Sequence, residues 1–97
     1  MIAKINVTVA ATLLSAAKRR AWFVLQNISD TDIYVALDGS SDVTGAAGAK
    51  PGLLIRPGEF LADSSFRNAV GWTDANDRAL YAIHEGVGNK VMTVQEA

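Results

Sequence analysis

Residues 18–37, KRRAWFVLQNISDTDIYVAL, constrain the fold more than any other stretch of this chain. Lys18, Arg19 and Arg20 lead directly into the apolar run Trp22–Leu25. A polar corner follows, built from Gln26, Asn27, Ser29, Asp30, Thr31 and Asp32, and the chain resumes with Ile33, Val35 and Leu37 in alternation. Two strand patterns separated by a few turn-forming residues predict a β-hairpin. The run Trp22–Leu25 is apolar in both phases, as expected of a central strand or one covered by a neighbouring subunit.

The remaining segments extend this pattern. Ile5, Val7 and Val9 alternate with polar residues, which predicts a first strand over 3–9. Lys4, the mildly apolar stretch after it and Ser15-Ala16-Ala17 superficially fit a secretory leader, but Asn6, Thr8 and Thr12 interrupt the apolar run. Ala10–Lys18 contains good helix formers, with Leu13, Leu14 and Ala17 at helical spacing, and predicts one or two helical turns or a compact loop. Residues 38–52, rich in Gly, Ala and Ser, predict the loosest part of the chain. Arg56-Pro57-Gly58-Glu59 fits a type II turn between short strands at 53–55 and 60–62. A long connection over 63–78 carries Phe66 and Trp72. Strands at 79–85 and 90–95 flank Gly86-Val87-Gly88-Asn89 as a second hairpin. About seven short strands without a clean amphipathic helix predict one all-β domain over residues 1–97, a small antiparallel sandwich or barrel of jelly-roll type.

Composition narrows the function classes. At 49% apolar residues the 97-residue chain can form a core, and its net charge of −1 disfavours a generic nucleic-acid surface. The absence of cysteine removes disulfides and thiolate metal sites. No apolar run approaches the roughly 18 residues of a membrane-spanning helix. The charge is segregated: residues 1–29 hold four cations and no acid, and residues 30–49 hold four acids and no cation. Such a domain could pair with copies of itself.

Catalytic and ligand chemistry finds little footing. The single histidine, His84, ends a strand pattern, where a hydrogen-bonded structural imidazole is expected. Asp38 and Asp42 resemble part of a calcium loop, but alanine stands at position 49, where the closing acid is required. Gly45–Lys50 lacks the phosphate-loop spacing, and Pro51 replaces the Ser/Thr of that motif. Two glycosylation sequons, at Asn6 and Asn27, carry meaning only in a secreted chain. The expectation is a non-enzyme with no cofactor and no metal. The residues left for protein contact are Lys18, Arg19 and Arg20, with Trp22 beside them as either core or contact, and Phe66 with Trp72. The last two, with nearby Asn and Asp, would also suit a sugar platform.

The order of motifs resembles a group of small bacteriophage structural proteins. The residues that carry the resemblance are Val7-Thr8-Val9, Leu13–Ala17, Arg19-Arg20, Val24–Ser29, Asp32–Val35 and Leu54–Glu59, followed by Leu80–Ile83 and Val91–Glu96. The Ala/Gly-rich 38–52 segment and Phe66–Trp72 depart from it. The resemblance implies an all-β virion component made in the bacterial cytoplasm. Capsid decoration or head protein is the first role it implies, and tail or baseplate accessory the second. It implies as partners copies of itself and the major capsid protein, and by analogy a trimer at the local threefold positions of a capsid. It implies no catalytic residue.

Overall fold

The computed structural model describes residues 2–64 and 78–97. Eight strands account for about half of them: β1 (Ile2–Val7), β2 (Thr12–Ser15), β3 (Trp22–Asn27), β4 (Ile33–Ala36), β5 (Leu53–Ile55), β6 (Phe60–Ser64), β7 (Leu80–His84) and β8 (Lys90–Glu96). They form two four-stranded sheets with orders β1-β8-β3-β6 and β2-β7-β4-β5, antiparallel throughout. Only β4 and β5 are neighbours both in sequence and in a sheet; every other connection crosses from one sheet to the other. This is the wiring of an eight-stranded jelly roll.

That wiring corrects two expectations. The segments before and after the polar corner at 28–32 are strands, but β3 and β4 lie in different sheets, so they are an arch over the core and not a hairpin. The same holds for β7 and β8. Asn27 explains the first arch. Its side chain is fully buried. Nδ2 donates to Thr31 O and to Ile55 O, both at 2.8 Å, while Oδ1 accepts from Ser29 N at 2.9 Å and Ser29 Oγ at 2.6 Å. The amide thereby fills its two donor and two acceptor positions, and it folds the chain across the end of the sandwich.

Residues 10–18 contain no helix. Thr12–Ser15 pairs with β7 and turns Leu14 into the core. A helix this short is marginal in water, and the sheet offers both backbone partners and burial. The hydroxyls of Thr8 and Thr12 close the preceding corner: Thr8 N donates to Thr12 Oγ1 at 3.2 Å, and each hydroxyl donates to Ala10 O at 3.0 Å.

The 38–52 connection is more ordered than its composition suggests. Val43 is buried, Thr44 bridges Pro51, and Thr44 N donates to Lys50 O at 2.9 Å. Small residues serve close approach here: a Cβ on Gly52 would lie 2.7 Å from Val35 O. The turn at 56–59 has the expected form. Gly58 has φ +83°, and Glu59 N donates to Arg56 O at 2.9 Å. It joins β5 in one sheet to β6 in the other.

Between the sheets, strand alternation builds one core from Val7, Leu14, Phe23, Leu25, Ile33, Val35, Ile55, Leu80, Ala82, Met92 and Val94. Trp22 is not part of it. Trp22 and Phe23 occupy opposite phases of β3, and Phe23 takes the inward one.

Replacing Asn27 by Ala leaves Ile55 O and Thr31 O without this donor at a buried corner. At about 1–3 kcal/mol per unsatisfied buried group, Asn27→Ala should lower unfolding stability by roughly 2–4 kcal/mol. Asn27→Asp should be no better, because it sets a carboxylate against two carbonyls. Urea unfolding of the variants and the parent measures this, and an unchanged midpoint would refute the role given to the amide.

Candidate interaction surface

The basic step before β3 divides into three different cations. Arg20 is buried at 3% exposure and is therefore not a surface contact, which corrects the expectation for this residue. Its Nε donates to Glu96 Oε2 at 2.7 Å, Nη1 to Arg78 O at 2.9 Å, and Nη2 to Ser15 Oγ and Ala16 O, both at 2.8 Å. Ser15 Oγ in turn donates to Glu96 Oε2 at 2.9 Å. Lys18 lies on the solvent side of the cluster and also pairs with Glu96. Arg19 is exposed.

Glu96 sits in the inward phase of β8 with Met92 and Val94, which is why it needs these partners. Burial pushes its carboxyl pKa up, but the hydrogen bonds from Lys18, Arg20 and Ser15 outweigh burial and hold it below the ordinary value. The cluster ties β8 in one sheet to the ends of β2 and β7 in the other. It is structural.

The acidic zone is also largely engaged within the chain. Asp30 pairs with Lys90 at 2.9 Å and Asp42 with Lys50 at 2.7 Å, while Asp38 accepts from Ser40 N at 3.1 Å. The hydrogen bond from Lys90 chiefly lowers the Asp30 pKa, that from Lys50 the Asp42 pKa, and that from Ser40 the Asp38 pKa. Head-to-side pairing of a basic and an acidic zone thus loses part of its free charge to pairs within the chain, and of the basic step Lys18 and Arg19 are the cations that face solvent.

His84 has the expected structural role. It is fully buried, Nδ1 accepts from Gly86 N at 3.0 Å, and Nε2 lies 2.6 Å from Gly88 O. With Nδ1 accepting, the proton is assigned to Nε2, and the ring pins the arch between β7 and β8. Among the described residues no group of three or more His, Cys, Asp or Glu side chains could hold a metal, and no helix is long and apolar enough to cross a membrane. Phe66 and Trp72 lie outside the described residues.

Sequence reasoning missed the feature that stands out on the surface. At one side of the sandwich β5 and β6, which have no outer strand neighbour among the described residues, flank a hollow lined by Leu53, Leu54, Ile55, Gly58, Glu59, Phe60 and Leu61. Leu53 is 53% exposed, Leu54 40% and Phe60 67%. A readable signal was present: Leu53-Leu54-Ile55 and Phe60-Leu61 are apolar in both phases, more than one buried face requires. Trp22, on the outer face of β3 at 38% exposure, is a separate exposed aromatic. No protein-family model, curated protein or solved structure matches the chain.

Two results should follow from the buried pair. Arg20→Met removes the buried cation of Glu96 and should cost about 3–5 kcal/mol, whereas Arg19→Met should stay within about 0.5 kcal/mol of the parent; thermal unfolding of both variants compares them. Acid titration is the second test. The Glu96 pKa is lower in the folded than in the unfolded chain, so its contribution is complete above the unfolded value of about 4.3. It drains away as pH falls through the lowered folded value. A Glu96→Gln variant should be less stable near neutral pH and lose less on acidification. Parallel acid limbs for the two proteins would contradict this account.

Proposed function

We propose that this chain is a coat component of a bacteriophage particle, a capsid decoration or head protein that binds copies of itself and the major capsid protein. The observation that carries the reading is the joint one of motif order and fold. The sequence pattern resembling small phage structural proteins runs through an eight-stranded jelly roll, an architecture used in viral coats. Fold alone does not assign function, and the motif order selects among the uses of this architecture.

The physical demands of the role are modest. A decoration protein needs a rigid body, an exposed contact surface and many copies, since weak contacts gain strength once multiplied on a shell. The buried Arg20–Glu96 cluster and the Asn27 corner provide rigidity at the two ends of the sandwich. The exposed Leu53, Leu54 and Phe60 provide apolar contact area.

The reading is tested on purified particles of the virus encoding the chain. A gold-labelled antibody should decorate the head in many copies, and particles stripped of the chain should rebind the recombinant protein. Label confined to the tail would replace this reading with a tail or baseplate accessory. Absence of the chain from purified particles would end both.

A further inference from the structure

We propose that the β5–β6 side of the sandwich is a two-fold contact between copies of this chain, in which β5 of each copy pairs with β6 of the other. The proposal deepens the coat-protein reading, which already requires contact between copies, and supplies the surface.

Among the described residues, the two sides of the sandwich differ in what their edge strands present. An edge strand presents unpaired N–H and C=O groups, and chains that stay apart blunt such edges with charge or irregularity. On the β1–β2 side, β1 carries the exposed Lys4, and β2 shifts register between Leu13 and Ser15. Ile2 and Leu13 are exposed there too, but on blunted edges. On the β5–β6 side, the three-residue β5 contains no charged residue, and β6 opens with Phe60-Leu61-Ala62 next to the 56–59 turn and carries its one charge, Asp63, toward the far end. Leu53, Leu54 and Phe60 are exposed beside two regular strands. The end of this side next to the turn thus exposes apolar side chains from both sheets, which a partner can cover.

The occupant follows from direction and charge. The four-residue turn at 56–59 reverses the chain, so β5 and β6 run in opposite directions along the same side, one in each sheet. A two-fold axis parallel to the strands brings β5 of one copy against β6 of the other. The pairing is antiparallel, and both sheets run on through the dimer. The same axis sets the two 56–59 turns side by side. Each turn carries one exposed cation, Arg56, and one exposed anion, Glu59. Arg56 of each copy then faces Glu59 of the other, so the turn is complementary to itself. Within each copy Glu59 Oε1 accepts from Arg56 N at 2.8 Å, which holds the carboxylate at the turn. A stable contact needs about 800 Å² per partner. That is roughly one seventh of the chain's 5431 Å².

Sedimentation velocity of the full chain over a concentration series tests the proposal. The expected species is a reversible dimer. Leu54→Lys should abolish it, and Arg56→Glu should weaken it about tenfold, the size expected when two rim ion pairs become repulsions. Leu54 and Arg56 are exposed and Glu59 still caps the turn in both variants, so circular dichroism should show a native fold. Arg56→Glu mixed with Glu59→Arg should form a heterodimer, since one chain then carries two acids and the other two cations at the turn. A monomer at all concentrations, a trimer, or a dimer indifferent to either substitution would overturn the proposal. Shell binding is measured separately: a dimer that binds no shell sinks the coat reading alone, and a monomer that binds shells sinks this contact alone.

Discussion

The ion pair between Arg20 and Glu96 is the constraint around which one end of this structure is arranged. A carboxylate in the inward phase of a central strand is tolerable only if its partners are close and its oxygens are used. Both oxygens of Glu96 are engaged, by Arg20, Ser15 and Lys18. The guanidinium is shared with the carbonyls of Ala16 and Arg78. These groups come from both sheets, so the pair fixes how the sheets meet. The β3–β8 ladder extends beside it, where Ala97 N donates to Trp22 O at 3.2 Å and Ala21 N to Ala97 O at 2.6 Å.

The opposite end is organised inside by neutral groups, with the Asp30–Lys90 pair on its surface. Asn27 binds its own arch and the end of β5, and Glu59 O accepts from Asn27 N at 3.0 Å. His84 closes the arch between β7 and β8 through its ring, and its backbone N–H donates to Thr8 O at 3.2 Å. Between these ends the core is hydrocarbon from both sheets. Polar specification at both ends and apolar filling between them give the arches defined geometry where a tight hairpin turn would otherwise set register.

Local pattern made the strands legible but could not choose their partners. Phe23 and Leu25, or Ile33 and Val35, announce strands through their spacing whatever lies beside them. Whether a polar corner such as 28–32 bends within a sheet or over its end depends on Asn27 reaching Ile55, twenty-eight residues away, which no local window contains. The 10–18 segment was misleading for a related reason: its helix propensity is real but small, and pairing with β7 overrides it. Arg20 looked like one of three equivalent surface cations because its partner is seventy-six positions distant. A trace was nevertheless present, since Glu96 continues the apolar phase of Met92 and Val94, and an acid in that phase demands a buried cation.

The same non-local wiring bears on how the fold can form. β8, the last strand in chain order, lies between β1 and β3, and β7 lies between β2 and β4. Before β7 and β8 join, neither sheet has its middle: β1 has no ladder, β2 has none, and Arg20 has no carboxylate. What precedes them is the four-strand unit β3, β4, β5 and β6, with Asn27 already able to bridge β3 to β5. Closure then adds the Met92, Val94, Leu80 and Ala82 layer and the ion pair together. Loop-closure entropy must be met before those distant contacts give any return, so the completed sandwich should form late and cooperatively. That unit also holds β5 and β6, so the side proposed to join copies needs neither β7 nor β8 for its own ladders, whereas β1 and β2 need both.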